Sequence, residues 1–328
     1  MFLNSLLLLT GFVVLILGAN WLVSGASSLA RRLKLSEMMI GLTIVAFGTS
    51  TPELVVNLIA SFNGQDDVIF GNVIGSNIFN LLLILGISGT ILPIVVHHKT
   101  VWREIPFAFA VILVLLLLVN TGKEVAGPVL GRWEGALLLS LFIVFTLYIL
   151  RNIKTDGKDD RKVTGEDDGK DDGKDATRTP AFSGLLILVG LAFLVAGGKL
   201  VVDKSTVIAT ALGMSEKLIG LTIVSIGTSL PELATSVVAA LRKNSDMAIG
   251  NIIGSNIFNI LLILGVCAVV RPVGYNISMN QDLLIMGAFT MFLFVAMFTG
   301  KRKKLDRWEA MVLAISFLGY MIYIVSRN

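Results

Sequence analysis

Apolar residues run along this chain in long stretches that short polar segments separate. An α-helix needs about 20 apolar residues to cross the hydrocarbon core of a bilayer. The pattern predicts about ten such helices, near residues 2–26, 37–62, 68–92, 104–121, 131–150, 181–203, 216–241, 247–270, 280–299 and 307–326. We therefore expect an all-α polytopic membrane protein.

The overall composition agrees with this expectation. The chain has 328 residues, of which 55% are hydrophobic, and a mean hydropathy of +0.83, which excludes an ordinary soluble domain. The first 30 residues lack a basic segment and a small-residue cleavage site, so we interpret them as a retained first helix. A single cysteine, Cys267, excludes an intrachain disulfide.

One polar segment, residues 152–180, interrupts the apolar pattern and divides the chain. It consists mostly of Asp, Lys, Gly and Thr, which cannot bury a core, so we predict a disordered charged linker. The linker separates a first half, 1–151, from a second half, 181–328, and each half holds five predicted spans. Because five is odd, the second half enters the membrane with opposite polarity, which predicts two inverted-topology repeats.

The two halves contain the same two motifs at a constant offset of 179 residues. GLTIVAFGTSTPEL from Gly41 agrees with GLTIVSIGTSLPEL from Gly220 at 11 of 14 positions. DVIFGNVIGSNIFNLLLILG from Asp67 agrees with DMAIGNIIGSNIFNILLILG from Asp246 at 15 of 20. Such a duplication points to a site between the two halves of a transporter.

The distribution of basic residues predicts the orientation. With the N-terminus outside, the inward segments carry 20 Lys and Arg, including those of the linker, and the outward segments carry six. This satisfies the positive-inside rule. We expect a multi-pass cell-membrane protein with both termini outside and the 152–180 linker in the cytoplasm. The pI of about 9.2 follows from this topology, and nothing indicates nucleic-acid binding.

The first motif places a carboxylate beside helix-breaking residues within a predicted span. Glu53 follows Gly48 and Pro52, and Glu232 takes the equivalent position in the second half. Ionisable residues inside a membrane are costly and default to a functional role. Proline and glycine free backbone carbonyls, which persist at this depth only where buried in protein or lining a cavity. Carbonyls, Thr and Ser hydroxyls and a carboxylate thus converge within one turn.

The second motif adds hydroxyl and amide ligands to the same predicted site. Ser76 and Asn80 lie four residues apart and share one helical face, as do Ser255 and Asn259. Asn77 and Asn256 face about 100° away and are expected to bond neighbouring spans, and Asn72 and Asn251 are interpreted as packing residues. Oxygen ligands without Cys or His nearby indicate a hard cation such as Na⁺ or Ca²⁺.

These duplicated motifs, GlyThrSer-x-ProGlu and GlySerAsn-x-x-Asn, resemble the alpha repeats of the sodium/calcium exchanger family, of the prokaryotic type without regulatory domains. The resemblance implies Na⁺/Ca²⁺ antiport. It implies a calcium site formed by the carboxylates of Glu53 and Glu232 with backbone oxygens of Thr49 and Thr228. It also implies sodium sites that share these carboxylates and add Ser50, Ser76, Ser229, Ser255 and the carbonyls of Ala46 and Ser225.

The family pattern is not matched throughout. Some relatives, including those that carry potassium, have an aspartate where Asn259 stands, so this site has only two acids and potassium co-transport is not expected. Two ionised glutamates accept one Ca²⁺, two to three Na⁺ or two protons. An H⁺/Ca²⁺ antiporter and a monovalent cation/proton antiporter therefore stay open, whereas a channel or an enzyme is disfavoured. No cofactor is expected, and the partners are Na⁺ and Ca²⁺ as substrates and the lipid bilayer, with no obligate protein partner.

Overall fold

The structure is a computed structural model that describes residues 2–33, 35–95, 100–121, 123–124, 127–163, 179–214, 225–299 and 304–327. These ranges are mainly helical. The helices, in chain order, are α1 (Phe2–Leu33), α2 (Glu37–Thr49), α3 (Thr51–Asn63), α4 (Asp66–Ile91), α5 (Ile105–Thr121), α6 (Arg132–Val163), α7 (Pro180–Ala211), α8 (Ser225–Thr228), α9 (Leu230–Leu241), α10 (Ser245–Val270), α11 (Asn280–Ala296) and α12 (Arg307–Arg327).

The spans confirm the predicted polytopic helical architecture. Within the described residues, eight helices are long and apolar enough to cross a membrane, and α2 with α3 forms a ninth that bends by 45°. The predicted span near 216–241 is described only in part, as α8 and α9, because residues 215–224 lie outside the described residues.

Several boundaries differ from the apolar stretches. Both α1 and α7 extend beyond them, because apolarity marks only the part of a helix inside the bilayer. The backbone of residues 152–163 continues α6, where the sequence predicts disorder, and residues 164–178 lie outside the described residues. The extent of the linker therefore stays a prediction.

Short strands, which the sequence did not indicate, join the loops at the helix ends. β1 (Ile94–Val95) pairs antiparallel with β5 (Lys304–Leu305). β3 (Gly127–Leu130) pairs antiparallel with both β2 (Lys123–Glu124) and β4 (Val273–Gly274).

The first helices of the two halves, α1 and α7, pack along a seam of small residues. A Cβ at Gly18 would lie 2.8 Å from the carbonyl oxygen of Gly190, and one at Gly11 would lie 3.3 Å from that of Gly197. A Cβ at Gly25 would lie 2.8 Å from the Ser183 carbonyl oxygen. Because residue numbers rise along α1 as they fall along α7, the two helices are antiparallel, as an inverted repeat requires.

The last helix of each half packs on the other half. A Cβ at Gly86 in α4 would lie 2.7 Å from the backbone nitrogen of Ala314 in α12. Equivalently, a Cβ at Gly135 in α6 would lie 2.9 Å from the carbonyl oxygen of Gly265 in α10. The halves are thus intertwined, and small residues at these crossings allow the backbones to approach closely.

The two halves differ in how their third helical segments are covered. In α9, Ala234 and Val238 are 8% and 7% exposed and belong to a buried cluster with residues of α1. The equivalent α3 residues, Val55 and Ile59, are 50% and 55% exposed. Two segments of related sequence therefore occupy different environments, so the pseudo-two-fold symmetry is broken here.

Candidate ion-binding site

Both glutamates lie where a helix restarts after a break. α2 ends at Thr49, and α3 begins at Thr51 with Pro52 in its first turn, where a missing N–H costs no helical hydrogen bond. Glu53 therefore lies in the first turn of α3, and Glu232 occupies the same place in α9. Each glutamate is only 1% exposed. A helix N-terminus favours negative charge, which partly offsets the cost of burial.

Each carboxylate accepts a hydrogen bond from a serine of the opposite half. The Ser50 hydroxyl donates to Glu232 Oε1 at 3.0 Å, and the Ser229 hydroxyl donates to Glu53 Oε1 at 3.1 Å. The two carboxylates are also close enough to repel each other. Reciprocal contacts of this kind are what a two-fold arrangement produces.

Several buried oxygens of the site remain available. Glu53 Oε2, Glu232 Oε2, Asn80 Oδ1 and Asn259 Oδ1 are buried and have no hydrogen-bond partner within the part of the chain that the structure describes. Such atoms in a native structure call for an explanation, because burying a polar atom without a partner costs about 1–3 kcal/mol, and more if charged. All four accept hydrogen bonds only, as cation ligands do.

The helices that carry Asn80 and Asn259 change geometry at these residues. π-helical segments begin there, at Asn80–Ile84 in α4 and Asn259–Leu264 in α10. Such insertions occur often at functional sites. The Asn80 amide donates to Asn256 Oδ1 at 3.0 Å, and the Asn259 amide donates to Asn77 Oδ1 at 2.9 Å.

The neighbouring asparagines connect α4 to α10 directly. Asn77 Nδ2 donates to the Asn256 carbonyl at 3.1 Å, and Asn256 Nδ2 donates to the Asn77 carbonyl at 3.3 Å. The expectation that these two residues bond neighbouring spans is therefore confirmed. The amide oxygens of Asn80 and Asn259 have no hydrogen-bond partner in the part of the chain that the structure describes.

Four more predicted site residues lie near the carboxylates or near the serines that bond them. Ser76 Oγ is 3.0 Å from Ser229 Oγ. Thr49 and Ser255 come near the Glu232 carboxylate, and Thr228 comes near that of Glu53, but Ser255 Oγ forms no hydrogen bond to a described residue.

The carbonyls of Ala46 and Ser225 are the two predicted backbone ligands of sodium. The Ala46 carbonyl accepts from the Ser50 N–H at 3.0 Å and lies 3.3 Å from the Thr49 hydroxyl. Ser225 begins α8, and its side chain lies outside the described residues.

Four buried polar residues next to the site were not among the predicted ligands. Asn72 and Asn251, which the sequence suggested were packing residues, form hydrogen bonds to threonines of the opposite half. Asn57 and Ser236 bond these two asparagines at 2.7 and 3.0 Å. A signal was present, since Asn57 and Ser236 lie one helical turn beyond the glutamates and at equivalent positions.

No group of three or more His, Cys, Asp and Glu residues that would suit a metal ion occurs among the described residues. The arrangement instead provides two carboxylates supplemented by neutral oxygens. Such a set suits hard cations that tolerate hydroxyl, amide and carbonyl ligands.

Comparisons with known proteins agree with this picture. The family described as "Sodium/calcium exchanger protein" matches residues 3–151 and 182–326. The protein CaxA of Alkalimonas amylolytica is 40% identical, over 99% of this chain and 100% of CaxA. The sodium/calcium exchanger MaX1 of Methanosarcina acetivorans is 32% identical, over 97% of each chain.

A solved structure matches the fold over nearly its whole length. The sodium-calcium exchanger NCX_Mj, soaked with 2.5 mM Na⁺ and 0.1 mM Ca²⁺, superposes with a TM-score of 0.81 at 30% sequence identity. The match covers 99% of this chain and 99% of that chain. Both halves of the fold are thus shared with it.

Proposed function

The chain belongs to the sodium/calcium exchanger family, and on that premise we propose that it exchanges Na⁺ for Ca²⁺ across the membrane by alternating access at Glu53 and Glu232. Family membership makes it a multi-pass membrane cation antiporter, and the family consists of transporters. The observation that carries the proposal is the pair of buried carboxylates, each bonded to a serine of the other half and each with one oxygen that has no hydrogen-bond partner among the described residues.

Charge balance explains why such a site exchanges ions. Two ionised carboxylates repel each other strongly where the dielectric constant is low. One Ca²⁺ or two to three Na⁺ cancel this repulsion, so either load makes the site electrically acceptable inside the membrane. An empty site with two uncompensated charges resists movement between the two sides, which couples one ion flow to the other.

We propose the ligand set that the family resemblance implies. In our proposal Ca²⁺ lies between the carboxylates of Glu53 and Glu232, with backbone oxygens of Thr49 and Thr228. Sodium ions use the same carboxylates together with Ser50, Ser76, Ser229, Ser255 and the carbonyls of Ala46 and Ser225. The unpartnered amide oxygens of Asn80 and Asn259 complete the ligand set.

The broken symmetry of the fold supports alternating access. The face of α9 around Val238 is covered by α1, whereas the equivalent face of α3 around Ile59 is exposed. If the two related segments exchange these environments, the site between them opens first to one side and then to the other.

We also propose that the N-terminus and C-terminus are outside and that the 152–180 linker is cytoplasmic. The buried Cys267 is the only cysteine, so a Cys267→Ala background permits single reporter cysteines at Ser5 and Thr155. An impermeant thiol reagent added to whole cells should label the first position and not the second. Labelling of Thr155→Cys in intact cells would overturn the orientation.

The transport proposal is tested with purified protein in proteoliposomes. Vesicles loaded with Na⁺ are diluted into Na⁺-free buffer containing radioactive Ca²⁺ at equal pH on both sides. Uptake that requires internal Na⁺, and that is lost when K⁺ or choline replaces it, is the expected result. An imposed pH gradient without Na⁺ is the second arm.

The two arms of this uptake assay distinguish the proposed function from the other two antiporter types. Uptake driven only by the pH gradient would replace Na⁺ by H⁺ as the counter-ion, since two carboxylates can also carry two protons. Sodium flux driven by a pH gradient, with no Ca²⁺ carried in either arm, would indicate a monovalent cation/proton antiporter.

A further inference from the structure

Two hydrogen-bonded rings connect each glutamate to the opposite half of the molecule. In the first ring, the Glu53 carbonyl accepts from Asn57 Nδ2 at 2.7 Å, and Asn57 Nδ2 also donates to Asn72 Oδ1 at 2.7 Å. Asn72 Nδ2 then donates to the Thr228 hydroxyl at 3.2 Å. Thr228 is joined by a peptide bond to Ser229, which donates back to the Glu53 carboxylate.

The second ring joins the equivalent residues of the other half, with the amide of its central asparagine reversed. Asn251 Nδ2 lies 3.4 Å from the Glu232 carbonyl and donates to Ser236 Oγ at 3.0 Å. The Thr49 hydroxyl is 3.1 Å from Asn251 Oδ1. Ser50 follows Thr49 and donates to the Glu232 carboxylate, which closes the ring.

One asparagine thus connects three elements in each ring. Asn251 lies in α10 and bonds α9, which carries the glutamate of its half, and the end of α2 from the other half. Asn72 lies in α4 and bonds α3 of its own half and α8 of the other half. Both asparagines are buried, at 9% and 0% exposure for Asn72 and Asn251. A buried side chain that forms hydrogen bonds at both ends of its amide holds the groups it bonds at a fixed separation.

We propose that Asn72 and Asn251 are positioning residues, each of which holds the threonine of the opposite half at a fixed distance from the glutamate of its own half. The inference rests on the proposed function, in which backbone oxygens of Thr49 and Thr228 share Ca²⁺ with the two carboxylates. Neither asparagine touches the ion. Each sets the geometry between ligands that come from different halves, as outer partners of metal ligands do.

The pairing makes a specific prediction across the halves. Asn72→Ala and Thr228→Val each remove one end of the same hydrogen bond, and each should raise the half-saturating Ca²⁺ concentration about tenfold. In the double variant, the half-saturating Ca²⁺ concentration should rise by clearly less than the hundredfold expected of two independent changes, because both changes remove the bond between Asn72 Nδ2 and the Thr228 hydroxyl. Thr228→Ser keeps a hydroxyl that can accept from Asn72 Nδ2, so it should lose less Ca²⁺ affinity than Thr228→Val.

A mismatched pair and a matched control separate positioning from general stability. Asn72→Ala with Thr49→Val breaks one bond in each ring, so the effects should multiply to about a hundredfold. Ser61→Ala removes another buried hydrogen bond between the halves, to the Cys267 carbonyl at 3.3 Å, without touching a ring. It should lower thermal stability and leave the half-saturating Ca²⁺ concentration unchanged.

The experiment measures initial Ca²⁺ uptake into Na⁺-loaded proteoliposomes against Ca²⁺ concentration, beside Ca²⁺-dependent thermal stabilisation in detergent. Uptake by the unaltered protein tests the proposed function, and the variants test the positioning role of Asn72 and Asn251. Effects of Asn72→Ala and Thr228→Val that multiply, or an equal effect of Ser61→Ala, would overturn the inference. If Asn72→Ala does not fold, the cycle of Asn251→Ala with Thr49→Val gives the same test.

Discussion

Replacing either site glutamate by glutamine should remove the response to Ca²⁺ without unfolding the protein. In Glu53→Gln, one oxygen can still accept from Ser229, and the new amide replaces an oxygen that has no partner among the described residues. An unsatisfied buried amide costs about 1–3 kcal/mol, whereas an uncompensated buried charge costs several kcal/mol. The ion-free variant should therefore be at least as stable as the unaltered protein.

The size of the lost response can be worked out from binding linkage. A ligand at 100 times its dissociation constant stabilises the folded state by about 2.7 kcal/mol. For a chain of this size, about 2 °C of melting temperature corresponds to each kcal/mol, so saturating Ca²⁺ should raise the melting temperature by about 5 °C. Glu53→Gln and Glu232→Gln should each lose this shift, together with Ca²⁺ exchange.

The assay is thermal unfolding of the purified protein in detergent over a Ca²⁺ titration. Glu309→Gln is the matched control, because Glu309 is also 1% exposed but both its oxygens accept hydrogen bonds, from Thr299 and from the Asp306 N–H. It should lower stability and keep the Ca²⁺ shift. A full shift in either Glu53→Gln or Glu232→Gln would refute the site.

Three further changes test other parts of the molecule. Asn259→Asp adds a third negative charge that one Ca²⁺ cannot neutralise, so Ca²⁺ uptake should become dependent on an added monovalent cation such as K⁺, and uptake indifferent to K⁺ would contradict this. Gly190→Ala places a Cβ 2.6 Å from a backbone nitrogen of α1 and should lower stability by about 1–3 kcal/mol in thermal unfolding. Gly184→Ala is the control and should leave the melting temperature unchanged, because no described atom lies within 4 Å of its Cβ. Arg327→Met removes the ion pair with the Asp282 carboxylate at 2.8 Å and should lower the free energy of unfolding by about 2 kcal/mol, less than the loss of a fully buried pair, because the arginine side chain is 26% exposed. Adding Asp282→Asn to this variant should restore part of the lost stability. Stability losses that simply add would exclude coupling between the two residues.

The apolar pattern and the duplicated motifs of the sequence determine much of this protein's fold by themselves. Apolar length fixes which segments can span a bilayer, and a proline must lie in the first turn of a helix or break it, so the breaks before Glu53 and Glu232 could be predicted. An odd number of spans in each repeat predicted inversion, which the antiparallel packing of α1 on α7 bears out.

Only the tertiary structure decided which oxygens meet. The sequence suggested that hydroxyl and carboxylate of one motif converge within a turn, but Ser50 bonds Glu232 and Ser229 bonds Glu53. Rules of helical spacing relate residues three or four apart and say nothing about residues more than 170 positions apart. Those pairings depend on how helices of the two halves cross, which glycine contacts fix in three dimensions.

The same reason explains the roles of Asn72 and Asn251. In the sequence each is one polar residue in a helix, and packing was the natural interpretation. Its two ends reach different helices, one from each half, and this is visible only once those helices are placed. The sequence by itself determined the types of polar residue and their duplication. The fold decided the geometry of these residues, because a site between two repeats exists only where the repeats are packed together.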